Sequence, residues 1–228
     1  MGELVDVPSN GHAASGYLAV PPSGSGPGVV VIQEWWGLVP HIEDVCDRFA
    51  AAGFVALAPD LYHGQTTTEP DEAGKLLMTL NLEQAARDMG GAVDFLVGHD
   101  ATTGSSLGVI GFCRGGGLAL MLATQRPDAI AACAPFYGII PWEAANPDWS
   151  ALQAKVRGHF AELDGFFSPD KARALEAQLQ DLGKDVELEI HPGVDHAFFN
   201  DTRPEVYNAT EAAKAWDATI AFFRETIG

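Results

Sequence analysis

Residues 107–122 read Leu-Gly-Val-Ile-Gly-Phe-Cys-Arg-Gly-Gly-Gly-Leu-Ala-Leu-Met-Leu, and this stretch decides the fold. An apolar run enters a Gly-x-Cys-x-Gly turn and continues as an apolar helical run. Strand, sharp turn and helix in this order form a nucleophile elbow, here with the sulfur of Cys113 in place of a hydroxyl oxygen. The glycines let strand and helix approach. The central residue then stands at a helix N-terminus, which favours a thiolate and offers backbone N–H groups to an oxyanion.

A second interpretation of the same turn is a glycine-rich loop that holds a phosphate, with Cys113 as a buried thiol. Phosphate loops usually carry Gly-x-x-x-x-Gly-Lys-Ser/Thr or Gly-x-Gly-x-x-Gly, and residues Gly111 to Gly117 fit neither pattern. The elbow is therefore the favoured interpretation.

An elbow predicts an acid after a later strand and a histidine in a loop further along the chain. Asp164 follows the apolar run Lys155 to Ala161, and His196 follows the run Asp185 to His191. In this arrangement His196 accepts the thiol proton, while Asp164 fixes the ring tautomer and stabilises the imidazolium.

Other residues near these two compete for the same roles. Glu162, and less plausibly Asp195 or Glu189, are alternative acids, and His191 is the alternative base. A metal cluster of His191, Asp195 and His196 is a further alternative, but His-x-x-x-x-His lacks the i, i+4 spacing that aligns two ligands on one helix face.

Short apolar runs alternate with longer amphipathic segments along the chain, which predicts a mostly parallel α/β sheet in one domain, residues 1–228. The predicted strands are Gly28 to Gln33, Phe54 to Ala58, Leu107 to Phe112, Ala129 to Tyr137, Lys155 to Ala161 and Asp185 to His191. Besides the helix after Cys113, the predicted helices are His41 to Ala52, Asn81 to Val97, Ser168 to Gly183 and Pro204 to Thr226, with a short helix in the excursion Asp60 to Leu80.

The net charge of the chain limits the kinds of partner that it can bind. The 228 residues carry 13 Lys and Arg against 31 Asp and Glu, a net charge of -18, which argues against nucleic-acid binding and favours a small-molecule partner. No basic residue precedes Arg48 and no apolar stretch is long enough to span a bilayer, so we expect neither export nor membrane insertion. Three cysteines without a CxxC spacing suit a reducing cytoplasm.

With these residues in hand, the chain resembles the dienelactone hydrolase (carboxymethylenebutenolidase-like) family of α/β-hydrolases. The matching motifs run in the order of the family from about residue 28 to the end of the chain. They are Gln33-Glu34-Trp35-Trp36-Gly37, Pro59-Asp60-Leu61-Tyr62, Gly111-Phe112-Cys113-Arg114-Gly115-Gly116, Phe136-Tyr137-Gly138, Asp164 and Gly193-Val194-Asp195-His196-Ala197-Phe198.

The resemblance implies a sheet of seven or eight strands flanked by helices, no metal, no organic cofactor, and hydrolysis of lactones or small esters by Cys113, His196 and Asp164. It gives Glu34 a role near the resting thiol, where the family's glutamate is thought to help form the thiolate. It places the oxyanion hole at the backbone N–H groups of Trp35 and Arg114. It also assigns four aromatic side chains to the substrate pocket: Trp36, Phe136, Tyr137 and Phe198.

The chain departs from the family at two arginine positions that bind the carboxylate of dienelactone. Residues 64–80 contain no Arg, and the position four after His196 is Asn200. A neutral lactone or ester is therefore at least as plausible a substrate, acted on by a monomer or small homo-oligomer. The alternative is a non-catalytic binding protein of the same fold with a vestigial triad.

Overall fold

The computed structural model describes residues 2–9, 12–140 and 146–228, and the chain divides into two compact units, Met1–Gly108 and Val109–Gly228. Strand β5 (Thr102–Phe112) runs across the boundary and contributes to both units. The expectation of one domain over residues 1–228 stays a prediction.

The first unit holds the strand order β1-β2-β4-β3-β5. Its strands before β5 are β1 (Glu3–Ser9), β2 (His12–Ala19), β3 (Gly26–Ile32) and β4 (Val55–Pro59). β1 pairs antiparallel with β2, and β2 pairs antiparallel with β4, whereas β3 and β4 are parallel. The sequence motifs did not predict β1 and β2, because β1 is half exposed and carries no continuous apolar run.

Three helices belong to the first unit: α1 (Pro40–Ala51), α2 (Pro70–Thr79) and α3 (Leu82–Gly98). Gly53 closes α1 with φ +98°, as expected of a glycine at this position. The side chain of Asn81 accepts hydrogen bonds from the N–H groups of Glu83 and Gln84 and so caps α3. The side chain of Gln84 has other partners than the N–H of Asn81, because Gln84 Nε2 donates to Asp88 Oδ1 at 2.8 Å and to Ser9 Oγ at 3.1 Å.

The second unit holds the strand order β5-β6-β7-β8, with β6 (Ile130–Phe136), β7 (Lys155–Ala161) and β8 (Val186–His191). β6, β7 and β8 pair in parallel. All six predicted strands are therefore present, and eight mostly parallel strands flanked by helices confirm the predicted α/β class.

The helices of the second unit are α4 (Arg114–Gln125), α5 (Pro169–Asp181) and α6 (Ala209–Ile227). α6 begins later than the predicted Pro204, because Asn208 caps it by accepting a hydrogen bond from the N–H of Glu211 at 3.1 Å. Among the described residues, no helix is both long enough and apolar enough to cross a membrane.

In the second unit, helices pack along the strands, and the predicted catalytic residues follow the carboxyl ends of the strands. α4 packs against β6, α5 against β8, and α6 against β6 and β7. The carboxyl ends of parallel strands meet at the same edge of a sheet. Cys113 follows β5 there, Asp164 follows β7, and His196 follows β8.

Candidate active site

Cys113 occupies a strained turn between β5 and α4. Its backbone has φ +55° and ψ -123°, a conformation that L-residues rarely adopt. Its N–H donates to the carbonyl oxygen of Phe136 at 3.0 Å, which fixes the turn against β6, and α4 starts at the next residue. The residue is 8% exposed, so the thiol lies at the helix N-terminus with only a small part of its surface open to solvent.

Glycine is required at several positions around this turn. A Cβ atom at Gly111 would collide with the carbonyl oxygen of Gly115, and one at Gly138 would collide with that of Cys113. A Cβ at Gly117 would meet the carbonyl group of Ile139 at 2.7 Å. The glycine pattern therefore has a steric cause in the close approach of backbones around Cys113.

A carboxylate, an imidazole and a thiol form a hydrogen-bonded series at this turn. Asp164 Oδ2 lies 2.8 Å from His196 Nδ1, and His196 also hydrogen-bonds the side chain of Cys113. Asp164 Oδ1 accepts the N–H groups of Phe166 at 2.7 Å and Phe167 at 2.9 Å. Both carboxylate oxygens are thus engaged, which locks the orientation of Asp164 and, through it, the imidazole ring.

The protonation of this series follows from its contacts. Burial opposes the imidazolium form of His196, but the hydrogen bond with Asp164, then the hydrogen bond and charge of Cys113, outweigh it and raise the pKa of His196 to about 10. Burial would raise the pKa of Asp164, yet the hydrogen bond with His196 and the N–H groups of Phe167 and Phe166 hold it below its usual range. Asp164 is therefore a carboxylate at neutral pH, and His196 is protonated beside the sulfur.

The rival residues from the sequence have other partners. Glu162 Oε2 accepts the N–H of Gly193 at 2.8 Å, and Asp195 Oδ1 accepts the N–H of His196 at 2.6 Å. His191 is fully buried, with Nδ1 against Glu211 and Nε2 against His159. The alternative cluster of His191, Asp195 and His196 therefore does not converge, and the metal-ligating atoms that do converge belong to His159, Glu189 and His191.

Three of the predicted pocket aromatics are buried rings. Phe136, Tyr137 and Phe198 are each 0% exposed, so they form packing under the site in this structure, and their contact with substrate stays a prediction. Tyr137, with φ +36°, lies 5.1 Å from His196 between ring centroids. Its N–H donates to the carbonyl oxygen of His159 at 2.7 Å, which ties β6 to β7 below the base.

Two further aromatic residues contact the base, and the sequence motifs did not single them out. The rings of Phe166 and Phe167 lie 5.5 Å and 5.8 Å from the His196 ring. Phe167 is buried, whereas Phe166 is 71% exposed, and Leu163 is a second exposed apolar side chain near it in the sequence. The Phe-Phe pair two and three residues after Asp164 is the sequence signal that could have identified them.

The remaining predicted residues lie in the first unit, where β3 ends. Glu34 is buried, and Trp35 and Trp36 are half-buried with their rings 4.9 Å apart. Gln33 Oε1 accepts the N–H of Leu61 at 3.2 Å, and Gly37 has φ +95°. These contacts define the loop. The catalytic role of Glu34 and the role of the Trp35 N–H in an oxyanion hole stay predictions.

Three polar residues that follow Cys113 or His196 closely in the sequence, Arg114, Asn200 and Arg203, are buried or half-buried. Arg203 pairs with Glu205, with Nη2 and Oε1 2.8 Å apart. Asn200 is buried and its Oδ1 accepts from the N–H and hydroxyl of Thr202 at 3.1 Å and 2.7 Å. Arg114 is half-buried, and its backbone N–H starts α4.

Comparison with known proteins places this geometry in context. The sequence profile of the Dienelactone hydrolase family matches residues 14–227. Protein usf of Aquifex pyrophilus is 39% identical over 99% of both chains. A Bradyrhizobium sp protein named probable 2-oxo-3-(5-oxofuran-2-ylidene)propanoate lactonase is 31% identical, over 97% of this chain and 93% of its own. A dienelactone hydrolase-like promiscuous phosphotriesterase from metagenomic libraries superposes with a TM-score of 0.88 at 25% identity, covering 100% and 99% of the two chains.

Proposed function

The chain belongs to the dienelactone hydrolase family of α/β-hydrolases, and we propose that it hydrolyses neutral lactones or small carboxylic esters through an acyl-thioester on Cys113. The observation that carries the proposal is the hydrogen-bonded series of Cys113, His196 and Asp164 at a nucleophile elbow. A structural role alone would require neither the strained φ at the thiol nor a raised histidine pKa beside it.

The first half of the proposed reaction forms the thioester. The sulfur of Cys113 attacks the carbonyl carbon, and the backbone N–H of Arg114 donates to the resulting oxyanion. When the tetrahedral intermediate collapses, the C–O bond to the alcohol breaks and the alkoxide takes the proton of the His196 imidazolium. Asp164, held by its other hydrogen bonds, keeps the ring directed at the sulfur.

The second half regenerates the thiolate. Neutral His196 removes a proton from a water molecule, and the hydroxide attacks the thioester carbonyl. Collapse of this second intermediate breaks the C–S bond, releases the carboxylic acid and leaves Cys113 as a thiolate beside the imidazolium, ready for the next substrate. No metal or organic cofactor is needed for either half.

The surroundings of His196 favour a neutral, apolar substrate. Phe166 and Leu163 are 71% and 60% exposed and flank Asp164, so they offer apolar surface beside the base. The two positions at which the family's arginines bind a carboxylate hold no arginine in this chain, and Arg203 is already paired with Glu205. A lactone and ester panel tests this: each neutral substrate should exceed its carboxylate-bearing match in kcat/KM by about tenfold or more. A preference for the anionic member would overturn the substrate class while leaving the hydrolase proposal intact.

Glu34 and Trp35 keep the roles that the family implies, a carboxylate that assists thiolate formation and an oxyanion N–H. Glu34→Gln preserves shape and removes the charge, so kcat/KM should fall by about tenfold to a hundredfold while stability changes little. Trp35 contributes through its backbone, so Trp35→Phe should leave the oxyanion hole intact. Equal activity of Glu34→Gln and the unmodified protein would remove Glu34 from the proposal.

The competing function is a binding protein that retains an inactive triad. Thiol alkylation separates the two, because burial raises the pKa of Cys46 and of Cys133 well above the usual range, whereas Cys113 faces an imidazolium. Iodoacetamide at pH 7 should label Cys113 at least about tenfold faster than the other two thiols. Equal labelling rates would favour the binding protein.

Turnover of short p-nitrophenyl esters tests the nucleophile directly. Cys113→Ala should lower kcat by about a thousandfold or more, and Cys113→Ser should retain a small part of the activity. Wild-type turnover by both variants would refute the assignment of Cys113 as the nucleophile.

Exhaustive chelation should leave kcat unchanged, because the proposed chemistry uses no metal. The three free cysteines support a cytoplasmic location for the enzyme.

A further inference from the structure

Two buried imidazole rings face each other where β7 and β8 approach their carboxyl ends. His159 Nδ1 and His191 Nε2 are 3.0 Å apart, and the two side chains are 4% and 0% exposed. Glu189 Oε2 lies 3.7 Å from His159 Nδ1 and 3.9 Å from His191 Nε2, on a side chain that is 60% exposed. These three residues, here called the His-Glu-His cluster, take no part in the proposed reaction.

The outer partner of His191 determines which of its nitrogens carries the proton. His191 Nδ1 lies 2.8 Å from Glu211 Oε2, and the other oxygen of that carboxylate accepts from Lys214 Nζ at 2.6 Å. A carboxylate in an ion pair can only accept, so the proton is on Nδ1 of His191. In the neutral ring, Nε2 of His191 therefore presents a lone pair to His159.

The outer partner of His159 leads to the same conclusion for the second ring. His159 Nε2 lies 3.2 Å from Thr219 Oγ1, and that hydroxyl has a shorter contact of 2.8 Å with the carbonyl oxygen of Ala215. A hydroxyl has one proton, and the carbonyl can only accept it. The hydroxyl of Thr219 therefore accepts from Nε2 of His159, which leaves a lone pair on Nδ1.

Three acceptor atoms consequently point their lone pairs into one small space. Two imidazole lone pairs at 3.0 Å repel each other unless a cation lies between them. A triangle with the three measured sides has its circumcentre about 2.1 Å from every corner, and an ion displaced slightly out of that plane, as a fourth ligand requires, keeps about the length of a zinc bond to imidazole nitrogen or carboxylate oxygen.

We propose that the His-Glu-His cluster binds a divalent transition-metal ion of the Zn²⁺ class. Two imidazoles and one carboxylate suit such an ion better than Mg²⁺ or Ca²⁺, which prefer oxygen ligands. The carboxylate on Nδ1 of His191 is the partner that commonly orients a metal-binding histidine. His159 and Glu189 line a surface groove of about 320 Å³, through which the ion enters and a water molecule completes a tetrahedron.

The ion would join the two strands that carry the acid and the base. His159 and Glu189 are partners in the parallel register of β7 and β8, and His191 is the partner of Ala161. Beyond these strand ends the chain continues to Asp164 and His196. The role of the metal is therefore structural, and it stabilises the folded protein by preferential binding.

Calorimetric titration of the untagged, chelator-treated protein with ZnCl₂ tests the site. We expect one Zn²⁺ per chain and a higher Tm in its presence. Glu189→Ala should weaken Zn²⁺ binding by about tenfold or more. Glu187→Ala is the matched control, because Glu187 is an equally charged, exposed residue of β8 on the same groove, and it should bind Zn²⁺ within about twofold of the unmodified protein.

The active-site thiol is the other possible zinc ligand, so the titration is repeated after alkylation of Cys113. Retained stoichiometry supports the cluster, and a Co²⁺ spectrum with tetrahedral nitrogen and oxygen ligation and no thiolate band supports it further. Loss of binding on alkylation would overturn the proposal. Failure to bind Zn²⁺ would also overturn it, since a proton shared between the rings would then fill the space. An equal loss of Zn²⁺ affinity in Glu187→Ala and Glu189→Ala would show that binding depends on the acidic surface charge alone. That result would also overturn the proposal.

Discussion

His191 and His196 have the same partner on the same nitrogen, and their surroundings give them different chemistry. In each, Nδ1 lies 2.8 Å from a carboxylate oxygen, of Glu211 for His191 and of Asp164 for His196. His196 hydrogen-bonds a thiol with its ring, whereas Nε2 of His191 faces the ring of His159. A histidine and carboxylate pair therefore does not identify a catalytic base by itself.

Burial separates the two histidines further. The side chain of His196 is 14% exposed and lies against the exposed ring of Phe166, so part of the ring is open to solvent. The side chain of His191 is 0% exposed and its ring packs 4.9 Å from that of Phe198. The group on the second nitrogen and the access of solvent to the ring distinguish a base from a structural or metal-binding histidine.

Replacement of each histidine provides the largest contrast. His196→Ala removes the proposed base and proton donor, so kcat should fall by about ten-thousandfold at nearly unchanged stability. His191→Ala opens a cavity and removes the hydrogen-bond partner of Glu211 Oε2, so its main effect should be a loss of about 2–4 kcal/mol of unfolding free energy. Ester turnover and urea denaturation measure the two effects. If His191→Ala lost kcat as severely without losing stability, the roles would have to be exchanged.

The two carboxylates provide the next contrast. Asp164→Asn keeps the shape of the side chain but no longer stabilises an imidazolium, so kcat should fall by about a hundredfold to a thousandfold. Glu211→Gln removes an ion pair and a hydrogen bond, and should cost about 1–3 kcal/mol of unfolding free energy. Comparable losses of kcat in both variants would contradict the distinction between the pairs.

The sequence predicted the elements that have a strong local signal. Cys113 was recognisable because its turn requires glycines in a fixed pattern, and the elbow then implied an acid and a base in chain order. All six predicted strands carry continuous apolar runs and are present. β1 was not predicted because it lies at the sheet edge, where strands with alternating exposure resemble loops in composition. β2 was not predicted because its sequence, His-Ala-Ala-Ser-Gly-Tyr-Leu-Ala, contains no continuous apolar run of β-branched residues.

The choice between neighbouring candidates required the structure. Glu162 and Asp164 differ by two positions, and only the hydrogen bonds distinguish them: one holds the N–H of Gly193, the other the ring of His196. His159 could not be singled out, because its proximity to His191 follows from the parallel pairing of β7 and β8. Contacts between distant segments depend on strand register, which a single sequence does not reveal.

The pKa of His196 gives a smaller but more direct measure of how its surroundings differ from those of His191. Its value of about 10 lies above the 6.5 of a free histidine, so the imidazolium persists through neutral pH and is lost as the pH rises through 10. The hydrogen bond with Asp164 is the largest cause that raises it, and the hydrogen bond and charge of Cys113 come next, so Asp164→Asn should lower this pKa by at least about one unit and Cys113→Ala should lower it as well. NMR titration of ¹³C-labelled histidines measures both shifts. An unchanged pKa in Asp164→Asn would show that the carboxylate does not govern this ring.

The smallest expected effects concern the solvent access of the His196 and His191 rings. Phe166 is 71% exposed beside His196, so Phe166→Ala should remove apolar contact with an aryl ester, raise KM by about threefold to tenfold and leave unfolding nearly unchanged. Phe198 is fully buried beside His191, so Phe198→Leu should instead cost about 1 kcal/mol of unfolding free energy. Steady-state kinetics on aryl and alkyl esters tests the first effect, because a lost ring contact raises KM for the aryl ester most. If Phe166→Ala changed stability and left KM unaltered, the apolar surface beside His196 would be packing, and the open face that separates this histidine from His191 would have to lie elsewhere.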